Sequence, residues 1–439
     1  MSYAALQMKR RLVADKVIVG IDPAKKKHQA TVIDTHGIQL GESFTFQHSY
    51  EGFTGTLWKK LSEIDVPTDP KSLIFAIESS CNLWQCLSAY LKQRGFTVLL
   101  VSPLTTHHSR SFLNHDFSKT DPKDALLMAN SARDGYYDVH KTFSAQSQDL
   151  HRLSLIYHKL RKNLVQNKTR LRSQVELIFP EFCRVMNPST ATARHLLSQY
   201  FLPRHYLELD IEKMSPEISR LSHQNYGAEA LHQLSTLAQT SIGISVDDGY
   251  EIGIRHAIQC WILQINQLET LMDEVMAKMS YLAQHTPYFG ILTSLKGIST
   301  KLASLFIAET RELSEFDHYK KLEKFAGLNL RQSQSGDYIG RRHISHIGNR
   351  RLIWVIYKMT EETAKYVPEV RCKFLRRQIK KRSYRKNIIA SSSTLLKLIV
   401  AMIKQNRVYE PSVDAIKAVE VLEQKYTEIT KKHKVKTAA

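Results

Sequence analysis

Asp22, Glu78, Asp121 and Asp124 are the residues of this sequence whose surroundings best suit them to chemistry. Asp22 ends the apolar run KVIVGID, and Glu78 ends SLIFAIE. A carboxylate at the end of a buried strand is costly unless it is paired or binds a metal. Asp121 and Asp124 stand three apart in KTDPKDA, a spacing that puts both on one face of a helix. Carboxylates that converge on one point repel each other, and divalent cations resolve that repulsion. Mg²⁺ takes oxygen ligands and is often held by a few carboxylates plus substrate phosphates. A pair of such ions can activate an attacking oxygen and stabilise the leaving one in phosphodiester cleavage. A plainer account also exists. Asp22 could cap the turn before Pro23, and Asp121 could be an N-cap with Pro122 at the first helical position. Glu78 resists such an account, because it closes a continuous apolar run.

A second cluster lies in RQSQSGDYIGRRHISHIGNRRLIW, residues 331–354. Gly336, Gly340 and Gly348 permit close backbone approach to a phosphate chain. Arg341, Arg342, Asn349, Arg350 and Arg351 could hold a phosphate. A serine there could attack phosphorus if a base or metal activates it. Ser333, Ser335 and Ser345 are equally eligible by chemistry, and a hairpin with local serine hydrogen bonds is the simpler reading. Other basic groups suit nucleic acid. Lys119 and Lys123 flank Asp121, and Arg152, Lys159, Arg161, Lys162, Lys168, Arg170 and Arg172 crowd one helical stretch. The run 371–386, with Arg376, Arg377, Lys380, Lys381 and Arg382, holds nine cations and no acid, denser than an ordinary solvated face. Phe374 and Tyr384 in it could stack on bases. The turn LKGIS, 295–299, resembles a phosphate-binding interhelical hairpin, but Ser299 replaces its second glycine.

These residues need elements to position them. Residues 16–22, 28–34, 41–47, 72–78 and 97–102 read as strands, with helices over 83–94 and 118–134. The order suggests a mixed sheet with helices. Leu150, Leu153, Tyr157, Leu160, Leu164, Asn167, Leu171, Gln174 and Ile178 then repeat at heptad spacing, with polar breaks. Ile254, Ile258, Trp261, Ile265, Leu268, Met272, Val275, Met279 and Leu282 form a cleaner seam. Periodicity leaves open whether the two seams pair as an antiparallel hairpin or join subunits. Residues 179–250 between them carry four prolines and read as an insertion of shorter helices. The last third is mostly helical, with a polar tail after Tyr426 that is expected to fray.

Composition narrows the partners. The formal charge of +20, from 62 Lys and Arg against 42 Asp and Glu, favours a polyanion. Low Gly and Pro content, 17 and 12, argues for helix over low-complexity chain. The N-terminal MSYAALQMKRRLVADK lacks a secretory apolar core, and the apolar run 395–403 is too short for a membrane span. Five scattered cysteines argue against a disulfide scaffold and make the cytoplasm the expected compartment. None of the 19 histidines stands in a zinc-type motif.

VIVGID, FAIE and KTDPKDA, followed by LKGISTKLASLFIAE, Ala326-Gly327-Leu328, Ser335-Gly336 and HISHIGNRRL, together resemble the DEDD transposases of bacterial insertion sequences. The similarity is to the IS110 family, including its IS1111 subgroup, which is related to Piv-type DNA invertases. It runs over most of the chain. It implies an α/β plus all-α chain. Residues 1–145 would form a RuvC-like RNase H domain, and 146–285 a coiled-coil connector with the helical insertion at about 179–250. Residues 286–410 would form a C-terminal domain carrying a catalytic serine, and 411–439 a basic tail. The resemblance further implies an RNA-guided recombinase. A noncoding bridge RNA would pair with donor and target DNA. Mg²⁺ would be held by Asp22, Glu78, Asp121 and Asp124. Ser335, which precedes the family glycine, would form a phosphoserine intermediate. The composite site would draw the acids and the serine from different subunits of a homo-oligomer, a dimer assembling to a tetramer. Two alternatives remain for this sequence. One is a metal-dependent, structure-selective nuclease without a covalent step, like a Holliday-junction resolvase. The other is a non-catalytic nucleic-acid-binding scaffold.

Overall fold

A computed structural model describes residues 3–80, 82–109, 120–246, 248–331, 334–335, 338–340 and 343–437. The chain divides into two units, Met1–Thr142 and Phe143–Ala439.

The first unit is a mixed α/β fold. After helix α1 (Tyr3–Val13) come strands β1 (Val17–Asp22), β2 (Lys27–Ile33) and β3 (Gln39–Gln47), then α2 (Leu57–Glu63) and β4 (Leu73–Glu78). Next are α3 (Leu83–Gln93), β5 (Thr97–Val101), α4 (Pro103–Ser109), α5 (Asp121–Arg133) and the two-residue β6 (Asp138–Val139). The sheet order is β3-β2-β1-β4-β5-β6. β1, β4 and β5 run parallel, while β2, β3 and β6 pair antiparallel with their neighbours. The continuous apolar runs of β1 and β4 follow from burial on both faces. Val19, Phe75 and Ile77 pack with Leu57, Leu61, Leu87 and Leu91 from α2 and α3. Ile18, Ile74 and Ala76 pack with Met128, Ala129 and Ala132 of α5.

The second unit begins with α6 (Ala145–Ile178), a single 34-residue helix. Short helices follow: α7 (Phe182–Val185), α8 (Ala191–Gln199), α9 (Pro203–Leu207), α10 (Ile211–Leu221) and α11 (Ala228–Ala238). Then comes the 37-residue α12 (Asp248–Gln284). Gln146 donates to the Leu282 carbonyl, Asn167 to Gln264, and Lys168 pairs with Glu269. These contacts make α6 and α12 an antiparallel hairpin within one chain. The heptad register drifts near its end, where Val175 is buried and Gln174 is half-buried, as a period of 3.6 rather than 3.5 requires.

The hairpin threads two cores. Leu171, Val175, Ile178, Ile254, Ile258 and Ile265 pack with the short helices α7–α11. Leu150, Tyr157, Met272 and Met279 pack with the C-terminal helices. Between them lies a polar waist, where Asn163, Gln166, Arg170 and Gln267 line a cleft beside the Asn167–Gln264 bond.

The C-terminal part comprises α13 (Tyr288–Thr293), α14 (Thr300–Thr310), α15 (Tyr319–Ala326), the short strands β7 (Leu330–Arg331), β8 (Gln334–Ser335), β9 (Tyr338–Ile339) and β10 (His343–Ile344), and helices α16 (Arg350–Tyr366), α17 (Pro368–Ile379), α18 (Tyr384–Gln405) and α19 (Val413–Thr437). α18 is long and apolar enough to cross a membrane, but half of its apolar window is buried in this unit. The polar stretch after Tyr426 is helical in the structure. α19 runs on to Thr437, and its first half is tied to α17 by Arg371–Glu423 and by the Cys372 thiol on the Ala415 carbonyl.

Candidate active site

The acids of the first unit are placed by strand alternation. Ile18 and Gly20 face α5, so the next residue of that parity, Asp22, leaves β1 on the same face. On β4 the sequence Ile74, Ala76, Glu78 does the same. The parallel register aligns Ile21 with Ile77, which leaves Asp22 and Glu78 as neighbouring strand ends, ~5 Å apart between backbones. α5 brings the other two acids. Thr120 is its N-cap, Asp121 its first residue, and Pro122 follows, so Asp121 is not the cap that its sequence context allowed. Asp124 is buried at 3% exposure, whereas Asp121 is exposed. Both lie in the first turn, where the helix dipole favours negative charge.

Gly20 sets how closely α5 lies on the sheet. A Cβ there would stand 2.1 Å from the Ala125 carbonyl oxygen and 2.7 Å from the Ala129 nitrogen. Thr31, opposite Gly20 on β2, donates from Oγ1 to the Pro122 carbonyl at 3.4 Å. The turn carrying Asp121 and Asp124 is therefore pinned from two sides. The donor set is all carboxylate, the chemistry a hard divalent cation takes. Even so, among the described residues no three His, Cys, Asp or Glu side chains close on one point tightly enough to hold a metal.

The loop after Asp22 hangs on His28. The Ala24 amide donates to His28 Nδ1 at 3.2 Å, which leaves Nε2–H to donate to His48 Nδ1 at 2.8 Å. Burial, and His48 beside it, lower the His28 pKa from 6.5 to about 4. The native state thus prefers the neutral ring. This stability is complete above pH 6.5 and drains away as the pH falls toward 4, by about 3 kcal/mol in all. Urea midpoints should fall between pH 7 and pH 4.5, and His28→Gln should flatten that slope. An unchanged slope in the variant would remove His28 as the cause.

The hairpin of the second unit that carries Ser335 stands on a backbone clasp. β7 pairs with β10, and within that frame β8 pairs with β9, with Ser335 opposite Tyr338. Ser335 is thus the last residue of β8. Ser333, Gly336, Arg341, Arg342 and Lys119 lie outside the described residues. At the hairpin's foot two motifs cross. Gly327 has φ +83°, and a Cβ on Gly348 would stand 2.5 Å from the Gly327 nitrogen. His346 donates to the Gly327 carbonyl, Ser345 to Asn329 and Asn349 to Phe325 through their amides. The Ser345 hydroxyl accepts from the Ile347 amide at 3.0 Å, the local role that the simpler reading assigns it.

Beneath the clasp lies Glu309, at 1% exposure. Its carboxylate accepts from Ser154 Oγ (2.6 Å), Asn349 Nδ2 (2.6 Å) and Arg351 Nε (2.9 Å). Burial alone would raise its pKa, but these hydrogen bonds outweigh it and the net shift is downward. His158 Nε2 lies 3.9 Å away; burial holds that ring below the usual histidine range, so the contact is not an ion pair at neutral pH. Asn349 also caps α16, its Oδ1 accepting from the Arg351 and Leu352 amides. Glu309 was missed in the sequence, although it closes the apolar run LASLFIAE just as Glu78 closes its own.

The remaining basic candidates divide. Arg351 is turned inward to Glu309. Arg161 stacks on Trp354 at 4.0 Å, Arg170 lies over Trp261, Lys168 pairs with Glu269 and Arg172 with Glu176. Arg152, Lys159 and Lys162 on α6 are exposed, as are Arg350, Arg376, Lys380, Lys381 and Arg382. Arg377 and Lys123 are half-buried. Of the two candidate stacking rings, Phe374 is buried in the core and Tyr384 leans on its edge. The LKGIS turn is packed: Leu295 and Ile298 are buried, Gly297 abuts the Glu362 backbone, and Ser299 caps α14.

Two family profiles match the chain. One, described as a transposase of the DEDD type, matches residues 19–180. The other, described as transposase IS116/IS110/IS902 family, matches residues 290–373. The first spans the sheet, the four acids and α6, and the second spans the clasp, the hairpin and Glu309. Residues 181–289 lie outside both. The chain is 22% identical over 409 residues to the uncharacterized 44.8 kDa protein of insertion element IS116 from Streptomyces clavuligerus, covering 91% of this chain and 97% of that one. It is 21% identical over 418 residues to the uncharacterized 42 kDa protein of insertion element IS900 from Mycobacterium paratuberculosis, covering 91% and 98%. Acids on a mixed sheet and a separate helical unit thus fall together in a DNA transposase of the DEDD class, a class that works on DNA with divalent metal. The chain belongs to the IS110 family of insertion-sequence transposases.

Gly20 is where this fold tests that site. Gly20→Ala should cost about 1–3 kcal/mol through overpacking. By displacing the Asp124 turn it should also slow DNA cleavage about a hundredfold. A variant with wild-type melting and wild-type cleavage would show that α5 need not lie so close.

Proposed function

We propose that the protein is an RNA-guided DNA recombinase that cuts donor and target DNA through a phosphoserine intermediate at Ser335. The observation that carries this reading is the clasped hairpin. Two glycines, the α16 cap and a buried carboxylate fix its foot, which is the support a nucleophile requires. Ser335 Oγ would bond to the scissile phosphorus as the bond to the leaving DNA hydroxyl breaks. The serine proton would pass to solvent or a base, and the leaving oxygen would gain one. A hydroxyl of the partner strand would then attack the phosphoserine, re-form a phosphodiester and return Oγ–H. No net hydrolysis occurs, so joining needs no outside energy.

Asp22, Glu78, Asp121 and Asp124 would hold Mg²⁺, which would neutralise and orient the scissile phosphate. Mg²⁺ is commonly bound by one or two carboxylates plus substrate phosphates, so a set not yet closed on one point suits an ion completed by DNA. We read the first unit as a RuvC-like RNase H fold. The antiparallel β1–β3 beside parallel β4 and β5, with helices on both faces, support this. The α6–α12 hairpin would serve as the coiled-coil connector, and the exposed cations of α6 and 380–382 would hold guide RNA or DNA backbone. Acids and serine from different copies would complete the site in a dimer or tetramer, in the cytoplasm.

The test is to purify the protein from cells carrying its flanking DNA and sequence the nuclease-protected nucleic acid that comes with it. One discrete RNA mapping beside the gene is the expected result. An unrelated mixture of RNA and DNA would overturn RNA guidance and favour a nuclease or a scaffold.

A further inference from the structure

Beside the hairpin foot the second unit holds a cavity of about 410 Å³. That volume suits a small organic group rather than a duplex. Trp354 and Tyr357 of α16 form one wall, and Ile389 and Ser392 of α18 another. Ile344 closes the side toward the hairpin; it is the β10 residue that pairs with Leu330.

The walls are apolar and aromatic, and their polar groups are few. Trp354 is fixed before anything binds. The Arg161 guanidinium sits 4.0 Å from the ring centroid, and His158 meets the ring at 90°. Ser392 Oγ donates to the Ile389 carbonyl at 2.7 Å, which leaves its lone pairs to accept a hydrogen bond. Cations also line the cavity. Lys358 is paired with Glu361. Arg350 and Arg385 are exposed and have no ion-pair partner among the described residues. The basic stretch Lys380–Arg382 lies just before Arg385 in the chain.

A ligand for this site needs a flat apolar body and an adjoining negative charge. A bare phosphate would not use the aromatic walls, and an apolar group would leave two guanidinia unmatched. A nucleotide has both parts. We infer that the cavity receives one unpaired nucleobase, turned out of its strand, with the attached phosphate held by Arg350 and Arg385. This deepens the nucleic-acid reading above and rests on it. Extruding a base at the hairpin foot would bend the strand at that point and set its register against the hairpin.

The experiment compares full-length protein binding to a short single-stranded oligothymidylate and to an abasic deoxyribose-phosphate strand of equal length, at one salt concentration. An oligouridylate arm separates RNA from DNA as the source of the base. The wild type should bind a base-bearing strand about tenfold more tightly than the abasic one. Ile389→Trp, which fills the cavity, should bring the two to parity while leaving abasic binding intact. Tyr357→Ala removes a wall from a half-buried position and provides the same readout should the filled variant fail to fold. Circular dichroism melting verifies both. A wild type that binds both strands equally, or a preference that survives in both variants, overturns the proposal while leaving the nucleic-acid function standing. Failure to bind any strand or duplex would instead overturn the function on which it rests.

Discussion

Ser335→Ala is expected to abolish the covalent protein–DNA adduct and to lower strand exchange by about a thousandfold or more. The reasoning is chemical. On the proposed route the phosphoryl group stays on Ser335 Oγ between cutting and rejoining, and alanine has no oxygen to hold it. Radiolabelled DNA carried through a denaturing gel gives the readout. Ser345→Ala should keep the adduct, because the Ser345 hydroxyl is engaged with the Ile347 amide. Ser333→Ala should also keep it. An adduct that persists in Ser335→Ala sinks the serine assignment. Cleavage that persists at full rate without any adduct, in wild type and variant alike, means a nuclease using water.

Glu309→Ala carries the largest expected loss of stability. The substitution removes the shared acceptor of the Arg351 guanidinium, the Asn349 amide and the Ser154 hydroxyl. The Arg351 side chain is 37% exposed and can turn to water, so the cost is mainly that of hydrogen bonds lost from a charged acceptor and of the buried Ser154 hydroxyl left unpaired, about 2–4 kcal/mol. The effect should not stop at stability. Asn349 caps α16 with one end of its amide and holds Glu309 with the other, so the clasp under the serine hairpin loosens with it. Glu309→Gln keeps the shape and part of the hydrogen bonding and should cost less than Glu309→Ala. Chemical denaturation of the full chain reads both. A Glu309→Ala midpoint equal to that of the wild type would show that α16 and the clasp are held by packing alone.

How much of this was legible beforehand differs by element, for physical reasons. β1, β4 and β5 were readable because burial on both faces writes an unbroken apolar run. The acids at their ends were readable for the same reason, since a carboxylate contrasts sharply with such a run. β6 was not, because two exposed residues leave no pattern. The heptads showed which faces of α6 and α12 are apolar but not what they meet. A seam looks the same whether its partner lies in the same chain or another, and only contacts such as Gln146 with Leu282 decide. The roles of Asn349 and Arg351 were hidden by their neighbours. In a run of arginines each looks like a phosphate ligand, and an inward turn becomes visible only when Glu309 is found beneath them. Gly20 gave no warning either, since a glycine in a strand does not announce which helix lies against it.

The polar waist of the α6–α12 hairpin has a consequence for how the second unit comes apart. One apolar body lies on each side of it, and the link between them is a few amide and ion-pair contacts, with half-buried Leu164 packed against both bodies as the shared apolar residue. Cooperativity is carried mainly by shared apolar packing, so the two bodies should behave as separate foldons on one pair of helices. The small-helix end can then open, exchange its amide protons and close again while the end bearing the hairpin stays native.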